Sequence, residues 1–277
     1  MEVTTTDLSA IVYATISEVK TLTTRSEKVL QALEDIKSSF NAADYDSDDL
    51  LFFVEDWDSD EELAEDLQPL WTGCQERFIK LLHHSSNSAR LAQEKARVFS
   101  DVILPCLLDE TTSVVQKFDV LVQFVERENP IKISDEVDQE IATLEQEMRT
   151  MLTSAAFIDH LFPRRLAEDI HFLLSESRNF ATMMTTADLI DSLFNYRLVE
   201  DTQLLLSEID GRILANSISG LSWIWSLAKY HAALLGDTDL ERIGVDEVTK
   251  ARIENLRSAY KALECALEDY SLRTGSL

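Results

Sequence analysis

Apolar residues recur at alternating spacings of three and four along several segments of this 277-residue chain. The pattern covers positions 12 to 40, 78 to 103, 137 to 162, 166 to 184 and 253 to 270. A stripe with a period of 3.5 residues follows one side of a helix and requires a partner helix at a shallow crossing angle, not a sheet. The spacing therefore predicts helices that pack side by side through heptad-like, coiled-coil-type contacts.

Three of these series show how the helices should pack. The first consists of Val12, Val19, Leu22, Val29, Leu33, Ile36 and Phe40, with Thr15 and Ser26 in its gaps. The second consists of Phe78, Leu82, Ser85, Ala89, Ala92, Ala96, Phe99 and Ile103. The last consists of Ile253, Leu256, Tyr260, Leu263, Leu267 and Tyr270. The small residues in the middle of the second series would let a neighbouring helix approach closely.

Turn-forming residues are scarce, with six Gly and four Pro in the whole chain. Strands need turns, so this scarcity favours long helices. We predict an all-α fold in which residues 1–277 form a single elongated antiparallel helical bundle, with an acidic loop at 42–68. If the bundle is subdivided, we expect the boundary near 130, because Pro130 ends or kinks the helical segment before it.

The net charge of −26 limits the partners that this chain can bind. Nucleic-acid binding is disfavoured because no basic face is available to neutralise phosphates, and stable attachment to anionic lipid is disfavoured for the same reason. A charged partner should therefore be a basic protein or a cation.

The cysteines and the first residues bear on the location of the protein. The odd number of cysteines, three, indicates reduced thiols. The first residues lack the basic segment followed by an apolar segment that is typical of a signal peptide. We expect a cytoplasmic protein with no signal peptide and no transmembrane segment.

The segment from Asp44 to Asp66 holds twelve acidic residues and no Lys or Arg. Four of its carboxylates fall at positions one, three, five and twelve of an EF-hand calcium loop: Asp44, Asp46, Asp48 and Glu55. Position six is Asp49, where the sharp turn of that loop needs glycine, and no second loop completes a pair. These four residues are the candidate calcium ligands, and the match is to ligand spacing alone.

The same acidic segment contains Phe52, Phe53 and Trp57. Acidic residues that alternate with aromatic ones resemble segments that fold onto a partner, with the aromatic side chains as buried anchors. The simpler alternative is a solvated connection between two helices, whose aromatic side chains fold back under the end of the bundle. Both interpretations stay open at the level of sequence.

The most apolar run is Ile213–Gly236, ILANSISGLSWIWSLAKYHAALLG. Its length suits a membrane span, but Asn216, Lys229 and His231 interrupt it, so we predict no constitutive transmembrane helix. Trp223, Trp225 and Tyr230 are either packed in the core or are candidate anchors for membrane insertion. A helix surrounded by other helices would favour the first interpretation, and a helix shielded on one side only would favour the second.

No catalytic template is present in this sequence: there is no Gly-x-Ser-x-Gly, no phosphate-binding glycine loop, no His-Glu-x-x-His and no Cys-x-x-Cys. We therefore expect no cofactor and favour a non-enzymatic helical-bundle protein that acts through protein contacts, as a scaffold or as a subunit of an assembly. The alternative is a membrane-active protein that stores the apolar segment 213–236. Such a bundle resembles α-helical pore-forming toxins in architecture alone.

Overall fold

The computed structural model describes residues 6–43, 61–130, 135–152, 154, 200–207, 213–237, 240 and 246–276. Within these ranges it describes the backbone but not the side chains at 6–7, 39–43, 61–67, 135–138 and 213–219. Every regular element in the described residues is a helix, which confirms the all-α prediction. The longer elements are α1 Thr6–Ala43, α2 Glu61–Val98, a π-helix Phe99–Ile103, α3 Leu104–Leu108, α4 Val114–Glu126, α5 Asp135–Leu152, α6 Ile213–Gly236 and α7 Glu247–Gly275.

The start of α2 differs from the expected acidic loop at 42–68. The helix begins at Glu61, so the last eight residues of that segment are helical. Acidic side chains at a helix N-terminus interact favourably with the helix dipole, and Glu, Leu and Ala all have high helix propensity. The acidic residues at 61–66, which we expected in a loop, are therefore compatible with the first turns of a helix.

The chain divides into two compact units. Unit 1 comprises Met1–Ser26, Leu81–Asp138 and Leu214–Leu277, and unit 2 comprises Glu27–Lys80 and Gln139–Ile213. In unit 2 the indole Nε1 of the buried Trp71 donates a hydrogen bond of 2.9 Å to the carbonyl oxygen of Leu33. The guanidinium of Arg77 forms an ion pair with Glu147 in the same unit. These contacts link α1 to α2 and α2 to α5.

The heptad series predict the buried positions correctly. All members of the second and last series are buried, and so are the described members of the first, through Ile36, including Thr15 and Ser26. The small residues of α2 also allow close approach, because the hydroxyl of Ser86 donates a 2.9 Å hydrogen bond to the carbonyl oxygen of Ser271 on α7. A Cβ at Gly275 would lie only 2.9 Å from the Ser86 hydroxyl oxygen.

Proline explains the π-helix between α2 and α3. The amide of Leu104 donates to the carbonyl oxygen of Phe99, five residues earlier. In this register the carbonyl oxygen of Ser100 would need the amide of residue 105, which is a proline and has no N–H. Nε of Arg257 on α7 donates to that oxygen instead, at 3.1 Å. The predicted interruption at Pro105 is therefore a change of helical register, satisfied by a side chain from another helix.

Aromatic side chains connect four elements in the core of unit 1. The ring of Trp225 on α6 lies 5.0 Å from that of Phe124 on α4, and Phe124 lies 5.4 Å from Phe99 in the π-helix. Phe99 in turn lies 4.7 Å from Tyr260 on α7 in an edge-to-face arrangement. These separations are in the favourable range for aromatic pairs. The cluster fixes which faces of α4 and α6 remain outside the core.

Candidate functional site on the outer faces of α4 and α6

Two of the site predictions fall on residues that the structure does not describe. The calcium-ligand candidates Asp44, Asp46, Asp48 and Glu55 lie outside the described residues, as do the partner-binding candidates Phe52, Phe53 and Trp57. Among the described residues, no group of three or more His, Cys, Asp or Glu side chains could hold a metal ion. The predictions for the acidic segment remain predictions.

The aromatic residues of α6 separate into two sets. Trp225 is 1% exposed, whereas Trp223 is 56% exposed and Tyr230 is 45% exposed. Trp225 therefore packs in the core, while Trp223 and Tyr230 lie on the surface, and their role as membrane anchors remains a prediction. Residues two apart on a helix are about 200° apart around its axis, so Trp223 and Trp225 must face opposite sides.

The helix α6 is shielded on one side only over the part whose side chains are described. Its inner side is buried and consists of Leu221, Ile224, Trp225, Leu227, Ala228, His231, Ala232 and Leu235. Its exposed residues between positions 220 and 236 are Gly220, Trp223, Tyr230 and Ala233. None of the 24 residues of α6 is acidic, in a chain that contains 51 Asp and Glu residues. The outer face of α6 thus exposes two aromatic side chains and carries no acidic residue.

Lysine side chains lie next to the buried indole of this helix. Nζ of Lys95 and Nζ of Lys229 lie 5.7 Å and 5.8 Å from the ring centroid of Trp225, within the distance for cation–π attraction. The indole Nε1 of Trp225 is buried and has no hydrogen-bond partner among the described residues. The buried indole of Trp225 is thus flanked by two cations, one from α2 and one from α6.

His231 is the titratable group in the inner side of α6. Its Nδ1 lies 2.9 Å from the hydroxyl oxygen of Tyr260, and its Nε2 is buried without a hydrogen-bond partner in the described part of the chain. Burial lowers the pKa of His231 from 6.5 to about 4, because the charged imidazolium would lose its hydration inside the core. The imidazole is therefore neutral at pH 7.

Membrane insertion of α6 receives only partial support from these observations. Searching the described residues, we find no helix that is both long enough and apolar enough to cross a membrane. The one-sided shielding of α6 and the exposure of Trp223 and Tyr230 are, however, the arrangement that the membrane-active alternative requires. Trp and Tyr are typical of membrane–water interfaces as well as of protein interfaces.

The helix α4 carries a second exposed apolar surface, which we call the α4 stripe: Val114, Val115, Phe118 and the half-buried Val122. Val115 is 69% exposed and Phe118 is 49% exposed, while Leu121 and Phe124 on the other side of the helix are buried in the core. Because residues three and four apart lie on one face of a helix, these apolar side chains form a continuous surface.

The α4 stripe has an acidic edge and a well-defined start. Asp119 and Glu126 are exposed and have no ion-pair partner among the described residues. Ser113 caps the helix reciprocally with Gln116, whose side chain accepts a hydrogen bond from the Ser113 amide. Just before it, hydrogen bonds from Thr111 and Thr112 hold the pKa of the Asp109 carboxyl below its usual range. The apolar residues are thus displayed on an ordered helix rather than on a frayed end.

The α4 stripe could not be predicted from the heptad series, because the helix α4 is short and lies outside them. The signal is nonetheless present: Ser113 and Gln116 have the spacing of a capping box, and the apolar residues that follow are too many for one buried face. Amphipathicity alone cannot say which of the apolar residues face the core. That assignment needs the neighbouring helices.

Comparisons with known proteins give no match: no family model, no curated protein and no solved structure resembles this chain significantly.

Proposed function

We propose that this protein is a non-enzymatic helical-bundle protein that acts through protein contacts, as a scaffold or a subunit of an assembly, and that it binds its partner through the α4 stripe. The observation that supports this proposal most strongly is the exposure of Val115 and Phe118 on an ordered helix whose other side is packed. Full burial of a Val or Phe side chain is worth about 1.5–3 kcal/mol, so a partner that covers both would gain substantial binding free energy.

The acidic edge of the stripe defines the partner. Asp119 and Glu126 would face cationic side chains on any segment that covers Phe118, and charge pairs at an interface edge mainly raise the association rate and the specificity. The partner we propose is an amphipathic helix with apolar residues three and four positions apart and Lys or Arg beside them. This partner is basic, as the net charge of −26 also favours.

Affinity capture with a matched control tests this proposal. The full chain is immobilised as wild type, as Phe118→Asp and as Leu272→Asp, and basic proteins retained from an extract of the producing cells are compared. Leu272 is 66% exposed on α7, also in unit 1, so its substitution makes a similar change in charge and hydrophobicity at another surface. We expect one set of proteins to be retained by wild type and Leu272→Asp, lost with Phe118→Asp, and released by salt. Equal retention by all three chains would contradict the proposal.

Two further elements belong to the same proposal. The acidic aromatic segment with Phe52, Phe53 and Trp57 is a second candidate contact for a basic partner, on the basis of its composition.

A cytoplasmic location is also part of the proposal. It agrees with the three cysteines, Cys74, Cys106 and Cys265, none of which forms a disulfide in the structure.

Membrane activity is a second candidate function, because one specific observation favours it. The outer face of α6 exposes Trp223 and Tyr230, and α6 itself has no acidic residue that anionic lipid head groups would repel. Dye release from neutral, sterol-containing and anionic vesicles, with tryptophan fluorescence recorded in parallel, tests this function. Release that is abolished by Trp223→Asp would support it, and no release from any of these vesicles would remove it.

A further inference from the structure

Over residues 220–236 of α6, where the side chains are described, the exposed positions are spaced symmetrically. Positions 220 and 233 are equally far from the midpoint between Ser226 and Leu227, and so are positions 223 and 230. The order along the axis is therefore small, aromatic, aromatic, small: Gly220, Trp223, Tyr230, Ala233. In an antiparallel pair centred on this midpoint, position 223 of each copy lies level with position 230 of the other, and 220 with 233, as in an isologous contact.

The distribution of charge favours self-association at this face. Two copies with a net charge of −26 each repel one another wherever carboxylates meet, and α6 has none. Lys229 has no carboxylate partner in the described residues, and its ammonium group lies over the Trp225 ring. A hydrogen bond from Asn129 to the Ser222 carbonyl oxygen places the residues just after α4, with the exposed Glu128, beside the first half of α6.

An antiparallel arrangement would use these charges. Residue 229 of one copy comes level with residue 224 of the other, close to the Ser222 position beside which Glu128 lies. Each Lys229 would then approach Glu128 of the second copy, twice by symmetry. A parallel arrangement would instead place the two Lys229 side chains level with each other.

From this symmetry and charge distribution we infer that α6 is a homodimer contact. Two copies pack their α6 helices antiparallel, with Trp223 of each against Tyr230 of the other and Gly220 opposite Ala233. Trp and Tyr are the residues that most often dominate binding energy at protein interfaces. This contact goes beyond the proposed function because it leaves the apolar residues of the α4 stripe free, and a dimer would present two such stripes.

The size of the contact sets the expected affinity. The 24 residues of α6 span about 36 Å, and a helix face is about 10 Å wide. This gives a few hundred Å² on each copy, below the roughly 800 Å² per partner of a standard stable interface. The dimer should therefore be weak and depend on concentration.

Sedimentation equilibrium of the full chain from low-micromolar to sub-millimolar concentration tests the association. We expect the average mass of wild type to rise from 31.5 kDa towards twice that value, and Trp223→Asp to stay at the monomer mass. The exposed control Leu272→Asp should behave as wild type. Far-UV circular dichroism and thermal unfolding verify that Trp223→Asp is folded, since this side chain lies outside the core.

Cysteine cross-linking tests the direction of packing without relying on Trp223. In a chain with Cys106 and Cys265 replaced by serine, the double variant Gly220→Cys/Ala233→Cys should form a covalent dimer on oxidation. Each of the two single variants should remain monomeric, because residues 220 and 233 face each other only in the antiparallel pair. A Cβ at Gly220 meets no atom within 4 Å, so the substitution fits the folded chain.

Three results would overturn the inference. One is a monomer mass for wild type at every concentration together with no cross-linking of the double variant. Another is cross-linking of Ala233→Cys alone, which would indicate parallel packing. The third is a monomer in solution that binds phosphatidylcholine vesicles through Trp223, which would assign this face to a membrane.

Discussion

Lowering the pH from about 7.5 to about 5 should loosen the packing of α6 against α7, because it places a proton on a buried histidine. In the folded chain the pKa of His231 is about 4, and in the unfolded chain it returns to about 6.5. Between these values the unfolded state binds more protons than the folded state. The stability that neutral His231 provides is therefore complete above pH 6.5 and is lost as the pH falls towards 4.

The structure gives the size of this loss. The difference between 6.5 and about 4 corresponds to about 3 kcal/mol of unfolding free energy in total, of which about 2 kcal/mol is already lost at pH 5. The groups next to the imidazole are the Tyr260 hydroxyl on α7 and the Tyr230 ring on α6, and neither can neutralise a positive charge at this pH. Nε2 has no acceptor among the described residues to receive the new proton.

Urea unfolding of wild type, His231→Phe and His83→Phe at both pH values tests this prediction, with hydrogen exchange of α6 and α7 reporting on unit 1. His83 is exposed on α2 and serves as the matched control. The many carboxylates also titrate, but they do so equally in all three chains and cancel in the comparison. We expect His231→Phe to gain about 2 kcal/mol relative to wild type on going to pH 5, clearly more than the exposed control His83→Phe. Parallel pH profiles for wild type and His231→Phe would refute the reasoning.

Two further substitutions test the contacts that hold each unit. Arg257→Ala should lower the unfolding free energy of unit 1 by about 1–2 kcal/mol, because it leaves the Ser100 carbonyl oxygen without its hydrogen-bond donor. Urea unfolding measures this loss, with Arg252→Ala, an exposed position on α7, as the control. Equal stability of the two variants would contradict the prediction. Trp71→Phe should lower the unfolding free energy of unit 2 by about 2 kcal/mol, because it removes the hydrogen bond to the Leu33 carbonyl oxygen and part of the buried side-chain volume. Hydrogen exchange around residues 27–43 should become faster. Unchanged exchange there would count against this role of Trp71.

Burial of the long helices could be predicted from the sequence because it depends on spacing alone. Once residues recur every three and four positions, one face is apolar whatever the partner is, and Leu33, Ala92 and Leu263 are buried as that spacing predicts. Even the burial of the polar residues Ser26 and Ser85 is predicted correctly, because both occupy positions in the series. The spacing could not distinguish Trp223 from Trp225 until the inner face of α6 was known, although their separation of two residues already requires opposite sides.

Features that depend on contacts between distant residues could not be predicted in this way. The π-helix arises from Pro105, but it is completed by Arg257, more than 150 residues later, and no local pattern links them. The neutral His231 likewise depends on burial beneath α7 rather than on its neighbours in sequence. The exposure of Phe118 follows from which side of α4 the aromatic cluster occupies.

The most direct test of the central claim, that this protein acts through protein contacts at the α4 stripe, is site-specific photo-cross-linking in the producing cells. A photoreactive phenylalanine analogue replaces Phe118 in one chain and Leu272 in another, since both side chains are exposed and both lie in unit 1. We predict a discrete cross-linked product with a basic protein from position 118 and none from position 272. No product from position 118, or the same products from both positions, would contradict the account.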